Sequence, residues 1–412
     1  MQYSLYLKLC LNINLLNMNK RKIIIWGVDD YNTLALIRQV GQGEFNIHFL
    51  IVGKAKYAAK SKYCSSFTES LNVEDGYRIL INEIAEGEQR PVILTNGDDI
   101  ITFIDKHRSE LLPFFILPGC TKQGDTEKYI DKYEMTCLAE KIGITVPISK
   151  IVKWDTPLTG ISYPCFIKPS HQKPGHYNEF KFKYCKDEES LKRALKYVRK
   201  DSVFIVQQFV KKEKDLLVYG CRTANSKIII AGGLVTDRFA VGQGSSYGEV
   251  SVNVHESIDV SKIEQFLNEI DYIGLFSFEY GLMQGKAYFF EVNLRNDGTS
   301  HFFYQAGANI PLAYVETSFG YEPISAATKV STTCKYMDEI FDISNVLIGN
   351  ISLKKWKQQR NQVFAYKFYD SNDLLPYKIA SRNRWIRIIR DVIIKKYRIY
   401  ILFILDKLGF RK

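Results

Sequence analysis

Two glutamates and an asparagine carry the clearest chemistry in this sequence. Within Phe290-Glu291-Val292-Asn293 the side chains of an extended strand alternate with a period of two, so Glu291 and Asn293 point to one face. Glu279 follows the apolar Phe276 and Phe278 in a neighbouring segment. Gly274–Tyr280 and Lys286–Asn293 read as adjacent strands that turn near Gln284-Gly285. Two carboxylates and an amide oxygen then converge on one face of a buried sheet. Hard oxygen ligands of this kind suit Mg²⁺, which is usually held by one or two carboxylates plus phosphate oxygens. The bland alternative is that both glutamates lie on a solvated face and Asn293 starts a turn. Lys168 closes another apolar strand, Tyr163–Pro169, and a lysine there is a point charge on a fixed base, suited to a phosphate. An ordinary surface lysine is the alternative.

These side chains need elements to hold them. Lys22–Gly27, Asn46–Gly53 and Arg90–Thr95 are apolar runs that read as buried parallel strands, and Pro113–Leu117 as a further short one. Tyr31–Gly41, residues 72–87 and Asp99–Leu111 have helical spacing between them, which predicts a doubly wound sheet. The first turn, Gly27-Val28-Asp29-Asp30, lacks the GxGxxG spacing of a dinucleotide site. A helix over Thr126–Ile142 ends at Gly143. Beyond it, Cys165–Pro169, Val203–Phe209, Leu216–Cys221 and Lys227–Gly233 are rich in β-branched and aromatic residues, which predicts an antiparallel α+β body.

The chain has 412 residues and is 46% hydrophobic, enough for two to three domains. Its net charge of +11 is unevenly placed: residues 377–412 hold eleven Lys and Arg against two Asp, leaving the rest near neutral. A nucleic-acid-binding body is therefore excluded. The eight cysteines form no CxxC pair, which argues against a zinc site or a disulfide framework and for a reduced, cytoplasmic compartment. Residues 1–19 contain no spanning apolar run and no cleavable-signal pattern, so a disordered leader is expected, or a start at Met18.

The segment Phe289-Phe290-Glu291-Val292-Asn293-Leu294-Arg295 resembles the closing motif of the ATP-grasp superfamily. The similarity runs from about Lys22 to about Glu322, and is greatest to carboxylate–amine ligases such as D-aspartate ligase and relatives of the carbamoyl-phosphate synthase large chain. The resemblance implies that Glu279, Glu291 and Asn293 hold Mg²⁺, or Mn²⁺ in its place, and that Arg295 meets the transferred phosphoryl group. Ile130-Asp131-Lys132, with its helix and the Gly143–Pro147 exit, resembles the family's opening segment, whose lysine reaches the nucleotide phosphates; Lys132 matches it. Tyr163–Pro169 resembles the strand whose lysine, here Lys168, contacts the phosphates. The loop Ser170–Phe180 should then cover them, but it has one Gly where the family has several, and His171, Lys173 and His176 instead. Phe204–Val210 resembles the hinge strand that receives adenine, which assigns Gln207, Gln208, Phe209 and Val210 to ATP, with Gln208 in place of the usual Glu. Asp215 matches the residue that bonds the ribose. For substrate, Arg222, Arg238, the Gly242–Gly248 run and His301 are candidates, since arginine forks suit carboxylates.

The resemblance implies an α/β and α+β chain: a Rossmann-like domain (20–120), an ATP-grasp small lobe with a linker helix (121–207) and a large lobe with the metal site (208–330). A C-terminal extension (331–376) and a basic amphipathic tail (377–412) follow. The implied reaction activates a carboxylate as an acyl phosphate and joins it to an amine; a small-molecule kinase and a non-catalytic nucleotide-binding protein are the alternatives. Relatives often form homodimers. Trp385, Ile388, Ile389, Val392 and Ile393 recur near helical spacing among Arg384, Arg387 and Arg390, which predicts a helix lying on an anionic membrane surface, at the inner face, with envelope or surface-polymer synthesis as the setting. A terminal helix packed on the body is the alternative.

Overall fold

A computed structural model describes residues 21–43, 45–84, 90–153, 155–169, 182–196, 202–242, 244–323 and 327–394. The expected leader, the Ser170–Phe180 loop with its two histidines and the tail beyond 394 lie outside the described residues.

The N-terminal apolar runs pair in parallel, in the order β3-β2-β1-β4: β1 (Lys22–Gly27), β2 (Asn46–Val52), β3 (Ser66–Ser70) and β4 (Val92–Thr95). Ile23–Trp26 are fully buried because helices cover both faces. The helix Tyr31–Val40 starts where the Asp30 carboxylate accepts the N–H groups of Asn32 and Thr33. Of the stretch expected to be helical over 72–87, Val73–Ile79 form a helix that widens into a π-turn over Leu80–Ile84. The strand expected at Pro113–Leu117 reduces to one bridge, Val92 to Ile116. Gly119, at φ 115°, turns the chain so that β5 (Gly119–Cys120) joins the large lobe instead.

Four antiparallel strands build a small lobe in the order β6-β9-β7-β8: β6 (Ser149–Val152), β7 (Cys165–Pro169), β8 (Lys183–Cys185) and β9 (Phe204–Gln208). The helix Glu188–Leu195, opened by an Asp187–Ser190 capping box, buries Leu191 and Leu195 against it.

The large sheet runs β14-β13-β10-β11-β12-β15-β16: β10 (Lys214–Arg222), β11 (Ile228–Phe239), β12 (Ser245–Ser251), β13 (Tyr272–Met283), β14 (Lys286–Asn293), β15 (Cys334–Met337) and β16 (Val363–Tyr366). One face buries Val218, Phe276, Phe278, Phe289 and Val292 on the helix Val260–Glu269. The other packs Leu217 and Tyr219 with residues of the N-terminal domain. The sheet does not stop at residue 330, because β15 and β16 of the C-terminal extension are its last two strands. Asp342, fully buried, holds this extension in place by accepting from Arg238, Ser246 and Trp356. The helix Leu374–Arg382 and a helix over 384–394 close the described chain.

Candidate active site between the lobes

Strands β13 and β14 are joined by Gln284 and Gly285, both with positive φ (51° and 72°). A two-residue turn with that geometry matches the twist of a hairpin and fixes its register. Glu279 stands directly opposite Glu291, and Ser277 opposite Asn293. A bulge after Glu279 absorbs Phe290, so the apolar side chains stay on the buried face and the polar ones share the other. The Asn293 amide nitrogen donates to Glu279 Oε1 (3.0 Å) and to Ser277 Oγ (3.1 Å).

Three cations gather on this face from three parts of the chain. Lys132 opens the helix Lys132–Ile142, which Asp131 caps and whose Met135 and Leu138 pack on Phe289 and Val292. That packing sets Lys132 Nζ 3.0 Å from Glu291 Oε2. Lys168 reaches in from β7 and donates to Gln207 Oε1 at 3.1 Å; Gln207 in turn donates to Ser149. Arg295, two residues past β14, donates to Asn293 Oδ1 (3.1 Å) and to the Asn296 carbonyl, and its Nε and Nη2 grip Asp98 of the N-terminal domain at 2.6 and 3.2 Å.

The electrostatics follow from burial and crowding. Burial, reinforced by the charges of Glu291 and Asp297, pushes the Glu279 carboxyl up to about 8. Burial works the same way on Glu291, but Lys132, Lys168 and Arg295 outweigh it and hold that carboxyl below its usual range. Burial and the nearby Lys132 charge bring the Lys168 ammonium down to about 8. Glu291 thus has its counter-charges in place, while Glu279 beside it is short of positive charge.

A divalent cation fits that deficit. Among the described residues no group of three or more His, Cys, Asp or Glu is arranged to hold a metal. The hairpin offers two carboxylates and an amide, an oxygen set that leaves coordination positions for phosphate oxygens and water. Asn293 turns its nitrogen, not its oxygen, toward Glu279. The amide would rotate to add its oxygen to the set.

The hinge is more specific than its sequence. The Phe209 N–H is used by the Pro164 carbonyl (3.0 Å) and the Val210 carbonyl by Lys212 N–H (2.9 Å). Among the described residues the Phe209 carbonyl and the Val210 N–H are left without partners, an acceptor and a donor one residue apart, as an adenine edge requires. Gln208 Oε1 accepts the Ile148 N–H at 3.4 Å. Asp215 lies on the sheet face of Leu217 and Glu279 and is paired with Lys212.

Three substrate candidates go elsewhere. Arg238 forms a bidentate pair with Asp342 (2.9 and 2.7 Å), donates to Gln359 and lies on the Tyr247 ring, so it anchors the C-terminal extension. Arg222 sits at the far end of β10, bonded to Asn268, Asp271 and the Tyr272 carbonyl. His301 is buried between Gln305 and Arg38. The Gly242–Gly248 run is mostly strand, since β12 begins at Ser245. Asp98 and Asp297 are neighbours of the site that the motifs miss. Asp98 follows the carboxyl end of β4, beside the point where the strand order reverses around β1, and that is where open parallel sheets bind ligands.

Hairpin and paired lobes bring an oxygen-lined face of the large sheet opposite the small lobe. No protein-family model matches the sequence, and no curated protein matches it. Solved structures do. The chain is similar to N5-carboxyaminoimidazole ribonucleotide synthetase purK in its ADP complex (TM-score 0.62, 15% identity, 80% of this chain and 84% of that one). It is also similar to N5-carboxyaminoimidazole synthetase from Staphylococcus aureus complexed with ADP (0.63, 12%, 83% and 87%) and to L-amino acid ligase from Bacillus licheniformis (0.60, 13%, 77% and 79%). The fold of this chain is the ATP-grasp fold.

Proposed function

We propose that the protein is an ATP-dependent, ADP-forming ligase that activates a carboxylate as an acyl phosphate and joins it to an amine. The observation that carries this reading is the meeting of Glu279, Glu291 and Asn293 with Lys132, Lys168 and Arg295 on one face of the β13–β14 hairpin. The similarity in fold to ligases solved with ADP, and to an L-amino acid ligase, supports it.

A carboxylate does not acylate an amine at neutral pH, because its oxygen is a poor leaving group. Moving the γ-phosphoryl group onto it creates a good one. The protein then has to position the reactants and neutralise charge. The Phe209 carbonyl and Val210 N–H receive adenine, with Gln208 beside them and Asp215 on the ribose. Lys132, from the helix packed on the large sheet, and Lys168, from the small sheet, hold phosphate oxygens, and Lys132 exchanges its Glu291 partner for phosphate. Glu279, Glu291 and Asn293 would hold magnesium, which would supply positive charge against the nucleotide phosphates. Arg295 stands next to the transferred group. The amine attacks the acyl carbon, the C–O bond to the phosphoryl group breaks, and phosphate leaves carrying the proton lost by the nitrogen, so that an amide remains. We further place the reaction in the cytoplasm, on a substrate of envelope or surface-polymer synthesis at the inner membrane face.

The test is ADP release by the purified full chain with Mg·ATP across panels of carboxylic acids and amino acids, with products read by mass spectrometry. Ligation gives ADP only when acid and amine are both present, together with a new amide mass. ADP release with a phosphorylated product and no amine requirement would replace the ligase by a kinase. Absence of both nucleotide binding and ADP release would reject the reading.

A further inference from the structure

The helix over 384–394 has two faces with different surroundings. Ile388 is buried and Val392 packs beside it, in an apolar cluster with Phe341, Phe368 and Ala380. Arg387 lies on the Phe341 ring and donates to the Ala380 carbonyl at 2.7 Å. These contacts fix the helix on the body.

Among the described residues the opposite face is apolar and exposed. Trp385 is 49% exposed, Ile386 71%, Ile389 51%, Ile393 47% and Ile394 50%. Trp385, Ile389 and Ile393 recur every four residues and so make a continuous ridge, with Ile386 along its flank. The outward side of a surface helix is ordinarily polar, and a ridge of large apolar side chains marks a contact surface. Arg390, paired with Asp391, is exposed on the same helix, and Lys378 and Arg382 are exposed on the preceding one. Residues 377–412 carry eleven Lys and Arg against two Asp. A second copy of the chain would bring like charge against like charge. An acidic bilayer matches both the charge and the apolar ridge. No helix among the described residues is long and apolar enough to cross a membrane, so the contact is interfacial.

We propose that this ridge docks the protein on an anionic membrane surface, with Trp385, Ile386, Ile389 and Ile393 entering the headgroup boundary and the neighbouring basic residues meeting acidic headgroups. The proposal names the contact behind the inner-face setting given above. Its test reads binding rather than turnover, so it fails or stands apart from the ligase reading.

Deleting residues 377–412 is a poor test, because it would uncover the cluster that Ile388 and Ala380 complete. Substitution on the exposed face avoids this. The full chain is sedimented with vesicles of phosphatidylcholine alone or with about one third phosphatidylglycerol. The expected result is binding to the acidic vesicles only. Ile386→Asp with Ile389→Asp should lower binding about tenfold or more, and Lys378→Gln with Arg382→Gln about fivefold or more, at unchanged melting temperature. Equal sedimentation of wild type and the Ile386/Ile389 variant overturns the proposal, as does a wild type that ignores acidic vesicles. A melting temperature lowered by the Ile386/Ile389 change, or a dimer in vesicle-free solution that this change dissolves, assigns the ridge to protein packing and overturns it too.

Discussion

Glu279 and Glu291 face each other on neighbouring strands, and only one of them is held ionised by its own surroundings. Structural carboxylates are normally satisfied in place, whereas Glu279 needs outside charge to ionise beside Glu291. Replacing Glu291 with Gln keeps shape and removes one of those charges. We expect Glu291→Gln to fold with an unchanged circular dichroism spectrum and to lose ATP turnover by about 100-fold or more; wild-type turnover would reject the assignment. A histidine remote from the site makes a separate residue-level prediction. His48 on β2 is buried, its Nδ1 engages Ser66 Oγ at 2.9 Å, and its Nε2 has no partner among the described residues. Burial, with help from the Lys22 charge, brings it down to about 4. The neutral ring is the folded form, so its contribution is complete above the unfolded value near 6.5 and is lost as pH falls from there toward 4. Between pH 7 and 5 that amounts to about 2 kcal/mol. Chemical denaturation at the two pH values should show this loss in wild type and a smaller one in His48→Gln.

At the scale of elements, what was legible was whatever the local pattern encodes. The alternation in Phe290–Asn293 and the turn at Gln284-Gly285 sufficed to put both glutamates and Asn293 on one face, because a hairpin is a local object. The buried parallel strands β1, β2 and β4 were equally plain. Strand β3 was not, since Ser66–Ser70 is a polar edge strand with only Ser70 buried. Partners distant in sequence were illegible for a different reason: nothing in the neighbourhood of Arg238 or Arg295 says that Asp342 takes one fork and Asp98 the other. The Gly242–Gly248 run shows how composition misleads. Its glycines suggested a ligand loop, but a Cβ on Gly248 would sit 2.0 Å from the Val235 carbonyl oxygen and 2.8 Å from Tyr336 Oη. Gly248 is there so that β11 and β15 can close on β12. Gly248→Ala should therefore cost about 3 kcal/mol of stability. A variant as stable as wild type in denaturant titration would return the glycine to the ligand.

At the scale of the molecule, the C-terminal extension ties the N-terminal domain to the large lobe. Arg38, on the first helix, is fully buried, yet its main partner is Asp373, 335 residues away in sequence. The Arg38 Nε donates to Asp373 Oδ2 at 2.9 Å, Nη2 to the Asp373 carbonyl at 2.7 Å and Nη1 to the Phe368 carbonyl at 2.8 Å. The same carboxylate accepts from Ser61 Oγ and Lys62 N–H. Phe368 also packs edge-on against Tyr31 and Tyr57, and a Cβ on Gly298, one residue past Asp297, would meet the Tyr31 ring at 2.6 Å. The clamp therefore reaches from the first helix to the turn that follows the oxygen-lined strand. Removing the arginine leaves a buried carboxylate without its counter-charge, which costs about 3–5 kcal/mol. Arg38→Ala should lose that much, and Arg38→Ala with Asp373→Ala should lose less than the two single losses added, since both break one pair. Amide hydrogen exchange tells where the loosening falls. If the clamp couples the domains, exchange accelerates in the helix Tyr31–Val40 and in β16 together, while the β13–β14 hairpin, with its own core on Phe266, keeps its protection. Acceleration confined to one side would mean that the extension rides on the lobe without holding the N-terminal domain.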